Sequence, residues 1–231
     1  MLPKWEQLDE TLQCEEVKKY YDILAKKKFS LVAKRIFDIL VSLIMIVLLS
    51  PVLLILAIWI KIDSPGTVFY RQVRVTKNNK DFRIFKFRTM VSNADKIGSL
   101  VTVGEDSRIT KVGSKLRKLR LDELPQLFNI LKGEMSFVGT RPEVRKYVDK
   151  YTDEMMATLL MPAGVTSLAS IKFKDEDEII SEHVADGYSV DEAYIKFALS
   201  KKMEYNLEAL REFSFVKEIG LMFKTVFEVL K

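Results

Sequence analysis

The dominant apolar run of the chain, Ile39 to Ile60, carries no charge and is interrupted in its middle by Ser50-Pro51. As a straight helix it would extend roughly 33 Å, close to the roughly 30 Å of hydrocarbon in a bilayer. Proline removes a backbone donor and crowds the preceding turn, so Pro51 should kink such a helix. The Ser50 hydroxyl can satisfy a backbone group released there. Basic residues flank the run on both sides, Lys34 and Arg35 before it and Lys61 and Arg71 after it, so the positive-inside bias gives no orientation. A helix bent at Ser50-Pro51, with both ends on one membrane face, accounts for the kink and for the flanks. This re-entrant arrangement is preferred to a spanning helix and to a buried core helix.

Upstream, Trp5 to Ala25 places Trp5, Leu8, Leu12, Val17, Tyr20, Tyr21 and Leu24 near helical spacing and reads as an amphipathic helix. Downstream, Thr67 to Val75 and Phe82 to Phe87 read as the strands of a hairpin around Asn78-Asn79, with Phe82, Ile84 and Phe87 on one face and Arg83 on the other. Helical patterns follow at Val91 to Leu100, Gly113 to Leu121, Pro125 to Leu131, Glu143 to Leu160, Val190 to Leu210 and Phe215 to Leu230, with Thr166 to Phe173 as a short strand. The last helix is apolar nearly all round, which suits burial or a bilayer surface. The expected fold is α+β, mostly α. An N-terminal amphipathic extension (1–33) leads into the re-entrant membrane helix (34–62). A compact domain (63–231) with a small β-hairpin and surface amphipathic helices follows.

Composition narrows the chemistry. The 231 residues carry a net charge of +5, which favours anionic partners: phosphates, acidic lipid surfaces or nucleic acid. The cluster Lys26, Lys27, Lys28, Lys34 and Arg35 would be attracted to anionic head groups by about 1 kcal/mol per charge. A single cysteine, Cys14, excludes an intrachain disulfide and fits a reducing compartment. A single histidine, His183, excludes a His-rich metal site, and its polar surroundings mark it as a surface residue. The apolar run starts far from Met1 behind an acid-rich segment, unlike a cleavable signal.

The chemistry centres on Leu121-Asp122-Glu123-Leu124-Pro125-Gln126. Proline favours the first turn of a helix and restricts the residue before it, so a helix should begin at or just before Pro125. Asp122 and Glu123 then lie at its N-terminal end, where free amides and partial positive charge favour anions. Asp122 as a simple N-cap is the plain alternative. Arg108, Lys111, Lys115, Arg117, Lys118 and Arg120 precede the pair, and Lys132, Arg141 and Arg145 follow it. Two adjacent acids among so many bases resemble a site where Mg²⁺ and cationic side chains clamp a pyrophosphate. Gly139-Thr140-Arg141-Pro142 presents one arginine from a stiff turn, and Lys86-Phe87-Arg88-Thr89-Met90 ends the hairpin with two more bases.

An ordered string of motifs resembles the bacterial sugar transferases, the monotopic polyprenyl-phosphate phosphoglycosyl transferases. It comprises Lys34-Arg35-Ile36-Phe37-Asp38, Ser50-Pro51, Asp63-Ser64-Pro65-Gly66, Tyr70-Arg71-Gln72, Lys86 to Met90, Arg108 to Gly113, Leu121 to Leu127 and Gly133 to Gly139. The resemblance covers roughly Ala33 to Lys231. It implies transfer of a sugar phosphate from a nucleoside diphosphate sugar, usually a UDP-sugar, to polyprenyl (undecaprenyl) phosphate. The implied products are a polyprenyl diphosphate sugar and UMP, made at the cytoplasmic face of the bacterial inner membrane to start surface glycan assembly. It further implies Asp122 as nucleophile, Glu123 as a holder of Mg²⁺, and Arg141 as a phosphate ligand. Lys86, Arg88, Arg108 and Arg117 are the further candidates for phosphate and nucleotide binding. An anionic membrane surface is an expected partner, nucleic acid is not, and a homo-oligomer is left open.

The chain also departs from that pattern. Thr140 stands for the first proline of Pro-Arg-Pro. In Met161-Pro162-Ala163-Gly164-Val165-Thr166-Ser167, an arginine is missing, an alanine is inserted and a serine replaces the second glycine. Leu168 follows where an aromatic residue is frequent. The alternative reading is a noncatalytic membrane-surface binding module, in which the bases hold lipid head groups and the acids cap a helix.

Overall fold

The computed structural model describes residues 2–94 and 106–229. The expected helix from Trp5 to Ala25 forms only in its second half, as α1 (Glu15–Ala25), after two 3₁₀ turns at Trp5–Gln7 and Glu10–Leu12. Side chains compete with the backbone for the missing turns. Asp9 accepts from Thr11 N at 3.1 Å, Gln13 donates to Leu8 O at 2.8 Å, and Cys14 is extended. The apolar spacing still does its work: Leu8, Leu12, Val17, Tyr20 and Leu24 are all buried.

Helix α2 runs from Lys28 to Asp63 through Pro51 without a break. Pro51 leaves the Val47 carbonyl without its helical donor, and the Ser50 hydroxyl donates to that carbonyl at 2.8 Å. Leu43, Ile44, Val47, Leu48, Leu54 and Ile55 face outward, and only 11% of the most apolar stretch is buried. The buried face is instead polar near the start. Lys34 donates to Val138 O (2.7 Å) and pairs with Glu218 (2.6 Å), and Asp38 accepts from Ser136 Oγ (3.1 Å). Arg35 donates to Ile130 O at 2.7 Å and Leu131 O at 2.8 Å. The expectation that Lys34 and Arg35 attract lipid head groups is therefore corrected, because both are spent on internal partners. At the other end, Leu56 and Ile60 pack with Phe87, Val112 and Leu116. Both arms of α2 thus rest on the same body.

The hairpin forms as expected from β1 (Phe69–Thr76) and β2 (Lys80–Phe87), paired antiparallel with Phe69 opposite Phe87. Asn78 and Asn79 adopt positive φ of 57° and 53° in its turn, a conformation asparagine tolerates. Phe82, Ile84 and Phe87 are buried. Beyond it come α3 (Lys111–Lys118), a 3₁₀ turn at Leu121–Glu123, and α4 (Gln126–Lys132). A strand not anticipated, β3 (Met135–Val138), pairs in parallel with β4 (Ala163–Thr166). The strand expected at Thr166 to Phe173 is corrected: β4 ends at Thr166, and the rest of that span turns into helix α7 (Leu168–Lys172), which Ser167 caps by accepting from Ser170 N.

Glu143 to Leu160 breaks into α5 (Arg145–Val148), α6 (Asp153–Met156) and a 3₁₀ turn, with Thr152 capping the restart. Helix α8 (Glu176–Ala185) was hidden by its polarity, and it carries His183, which stacks on Phe197. Helix α9 (Val190–Ala193) passes through a π-turn at Tyr194–Ala198 into α10 (Leu199–Arg211), and α11 (Phe215–Val229) closes the described chain. Of the helix expected at Val91 to Leu100, residues 95–100 lie outside the described residues.

Asn129, fully buried on α4, takes the place of a third strand beside β2. Its amide oxygen accepts from Phe85 N at 2.8 Å, and its nitrogen donates to Arg83 O at 3.0 Å and to Glu134 at 2.7 Å. Asn129→Ala would strand these groups and should lower stability by roughly 2–4 kcal/mol. Thermal unfolding of the purified protein checks this. A melting temperature within about 1 °C of wild type would contradict it.

Candidate active site

Three segments far apart in the chain meet at one carboxylate. Lys86 arrives from the end of β2, Glu123 from the 3₁₀ turn before α4, and Arg141 from the loop after β3. Lys86 Nζ lies 3.0 Å from Glu123 Oε1. Arg141 also donates to Oε1 and lies 3.4 Å from Oε2. The turn is set by Arg120, whose left-handed backbone (φ 52°) ends α3 and swings the chain back. Pro125 occupies the N-cap of α4, as its fixed φ allows. Asp122 and Glu123 therefore sit in their own short turn just ahead of that helix.

The Arg141 loop is held by a close backbone crossing. Gly139 N donates to Thr166 O at 3.0 Å and Gly164 N to Thr140 O at 2.8 Å. A Cβ on Gly164 would fall 2.2 Å from Gly139 N, so the crossing requires glycine there. Behind the loop lies buried Glu143, which accepts from Tyr194 OH at 2.6 Å and from Lys202 at 3.0 Å. Glu143 and Asn129 were missed from sequence. The only signal for Asn129 is a polar residue inside the apolar run Leu127-Phe128-Asn129-Ile130-Leu131.

The two acids differ electrostatically. Burial, the largest single influence on Glu123, pushes its pKa up, but the Arg141 and Lys86 charges and hydrogen bonds together hold it well below the usual carboxylate range. Burial pushes the Asp122 pKa up; Lys86 opposes this, and the Glu123 charge adds to it. Among the described residues no side chain hydrogen-bonds the Asp122 carboxylate. Burial also lowers the pKa of Lys86, which Glu123 partly restores.

Arg117 lies close enough for its charge to act on Asp122, and its Nη1 is buried without a hydrogen-bond partner among the described residues. Two other sequence candidates are engaged elsewhere. Arg88 donates to Ser64 O (2.6 Å) and Pro65 O (2.8 Å), fastening the end of α2 to the hairpin. Arg108 grips Asp106 (2.6 Å) and donates to Ala94 O (3.0 Å). Lys86, Glu123 and Arg141 are thus brought together with Asp122 and Arg117, while Arg88 and Arg108 have structural partners.

Among the described residues no group of three or more His, Cys, Asp or Glu side chains converges as a metal site. The adjacent acids suit an ion that keeps its waters and is held by one or two carboxylates plus substrate phosphates, the usual manner of Mg²⁺. The arrangement as a whole offers a carboxylate without a side-chain hydrogen bond beside fixed cations, suited to an anionic electrophile.

The family model described as bacterial sugar transferase matches residues 29–231. A UDP-N-acetylgalactosamine-undecaprenyl-phosphate N-acetylgalactosaminephosphotransferase of Aeromonas hydrophila is 38% identical over 177 residues, covering 75% of this chain and 38% of its own. A UDP-glucose:undecaprenyl-phosphate glucose-1-phosphate transferase of Escherichia coli K12 is 34% identical over 178 residues, covering 75% of this chain and 35% of its own. A putative undecaprenyl-phosphate N-acetylgalactosaminyl 1-phosphate transferase of Bacillus subtilis is 42% identical over 99 residues, covering 43% of this chain and 55% of its own. The matched part of this chain spans between about a third and just over half of these relatives' lengths.

A buried acid with a raised pKa destabilises the fold while it is charged. That cost is fully present above the folded-state pKa of Asp122 and vanishes below the ordinary aspartate value. Asp122→Asn should therefore melt at a higher temperature than wild type at neutral pH, with the difference shrinking as pH falls through that pKa. Melting curves of both proteins across acid pH check the sign. A variant less stable than wild type at neutral pH would contradict it.

Proposed function

The chain belongs to the bacterial sugar transferase family, and on that footing we propose that it transfers a sugar phosphate from a UDP-sugar to undecaprenyl phosphate. In the first step an Asp122 oxygen attacks the phosphorus bearing the sugar. The bond from that phosphorus to the bridging oxygen breaks and UMP leaves. In the second step an oxygen of the lipid phosphate attacks the same phosphorus, the acyl-phosphate bond breaks, and the Asp122 carboxylate is restored. The product is a polyprenyl diphosphate sugar, the starting point of a surface glycan. The reading rests chiefly on one observation: Glu123 is held ionised by Lys86 and Arg141, while among the described residues no side chain hydrogen-bonds its neighbour Asp122. Lys86, Arg117 and Arg141 would neutralise the phosphates. Mg²⁺, held through Glu123 when bound, would add charge neutralisation on the pyrophosphate.

A re-entrant α2 at the cytoplasmic face of the inner membrane belongs to the same reading. It is supported by the outward apolar residues around Pro51, by the Ser50 hydroxyl bond, and by the packing of both arms on one body.

Incubation with the matching UDP-sugar alone, in Mg²⁺, should add one sugar phosphate to the intact mass of wild type and release UMP before any lipid is present. Asp122→Asn should show no adduct. Absence of the adduct in wild type together with normal turnover by the Asn variant would reduce Asp122 to a helix cap. For topology, cysteines placed at Lys34-flanking and Asp63-flanking positions, after removal of Cys14, should both label from the cytoplasm. Labelling of one from the opposite side would mean that α2 spans.

A further inference from the structure

Four positions at which this chain departs from the pattern it otherwise follows line a single cavity: Thr140, Met161, Ser167 and Leu168. The cavity measures about 220 Å³ and lies where the ends of β3 and β4 meet α7, α10 and α11. An aliphatic-walled cavity of about 150 Å³ stays dry and accepts benzene, so this space suffices for roughly one or two isoprene units.

Its chemistry selects hydrocarbon. Met161 and Leu168 stand where the resembled pattern has an arginine and frequently an aromatic ring, and Leu210, Phe213 and Leu221 complete apolar walls. The charged residues at its edge are already neutralised in pairs. Lys172 meets Glu208 at 2.6 Å, Lys217 meets Glu212 at 2.8 Å, and Glu218 meets Lys34 at 2.6 Å. No lining charge is left to hold a phosphate.

Its position joins the membrane-facing surface to the reacting groups. Gly139 and Thr140 in its wall continue directly into Arg141, which holds Glu123. Opposite them is α11, whose Val216, Phe223 and Phe227 are exposed, and which packs on the start of α2 through Phe215 against Phe37. A lipid with its tail among these exposed apolar residues and its phosphate at Arg141 would run past this cavity.

We propose that the cavity seats the phosphate-proximal isoprene units of the polyprenyl phosphate acceptor. The proposal rests on the reading of the chain as a transferase to that lipid. It makes Met161 and Leu168 determinants of acceptor binding rather than of sugar choice, since neither side chain offers a strong hydrogen bond to a sugar hydroxyl.

The test fills the cavity. Leu168→Trp and Ala209→Phe each place a ring in the space, with Leu168→Phe as a milder form. Purified full-length protein is assayed with the active UDP-sugar and undecaprenyl phosphate. The donor-only sugar-phosphate adduct, formed to the wild-type extent, certifies that each variant is folded and its chemistry intact. The expected result is a roughly tenfold rise in apparent KM for undecaprenyl phosphate, with KM for the UDP-sugar unchanged. An acceptor KM unchanged in all adduct-forming variants overturns the proposal. So does a rise confined to the UDP-sugar KM, which would assign the cavity to the donor. Loss of a co-purifying phospholipid with the acceptor KM unchanged would assign it to a bilayer lipid instead. Failure of wild type to form the adduct or turn over would sink the parent reading, a result distinct from any of these.

Discussion

The Glu123 carboxylate lies between Lys86 and Arg141, and through this contact β2, the turn before α4 and the loop after β3 become one site. Removing such charges from water costs several kcal/mol each, and their mutual attraction offsets this only when geometry is good and further hydrogen bonds are made. The surrounding fold is organised to keep the three groups in place. Asn129 ties β2 to α4, which fixes Lys86 relative to Glu123. The glycine crossing at Gly139 and Gly164 and the buried Glu143 fix the loop that carries Arg141. With Glu123 engaged by both cations, Asp122 is left as the acid whose charge is incompletely balanced, a condition that costs stability.

The long helix α2 has its polarity reversed relative to a helix of a water-soluble protein. Lys34, Asp38 and Ser42 face the protein, whereas leucine, isoleucine and valine side chains face outward. A lysine or aspartate is tolerated there because each meets a fixed partner, a backbone carbonyl, a hydroxyl or an opposite charge. The same bonds couple this helix to the site. Arg35 caps the C-terminal carbonyls of α4, whose N-terminus follows Asp122 and Glu123, and Lys34 and Asp38 hold β3, which leads to Arg141. Arg88 does the equivalent at the far end, binding carbonyls of Ser64 and Pro65.

The segment before residue 29, outside the family match, is nonetheless part of the packed body. Leu12, Val17 and Leu24 share a core with Val148, Met156 and Leu210. Its backbone and side chains also reach the hairpin tip, where Asp9 N donates to Asn78 and Asn79 donates to Thr11. The tip residues hold strained positive φ angles, and these bonds are part of what over-determines them.

Local rules made much of this legible in advance. Alternation of side chains gave away the hairpin and its buried face. The Asn78-Asn79 turn, the apolar run with its Ser50-Pro51 break, and the acid pair ahead of Pro125 each follow from backbone chemistry that acts within a few residues. Long-range pairing was not legible, because nothing local distinguishes a lysine that meets water from one that meets a carbonyl a hundred residues away. That is why Lys34 and Arg35 read as bases for lipid head groups and Arg88 as a phosphate-binding candidate, whereas in the structure all three donate to backbone carbonyls of distant segments. It is also why β3 was hidden: a four-residue strand has no periodicity of its own until β4 lies beside it. The sequence by itself determined which chemical groups were present and which short elements would form around them. The tertiary structure alone decided that Lys86 and Arg141 would both close on Glu123 and leave Asp122 without a side-chain hydrogen bond among the described residues, since charge partners are chosen by where the chain's distant segments pack.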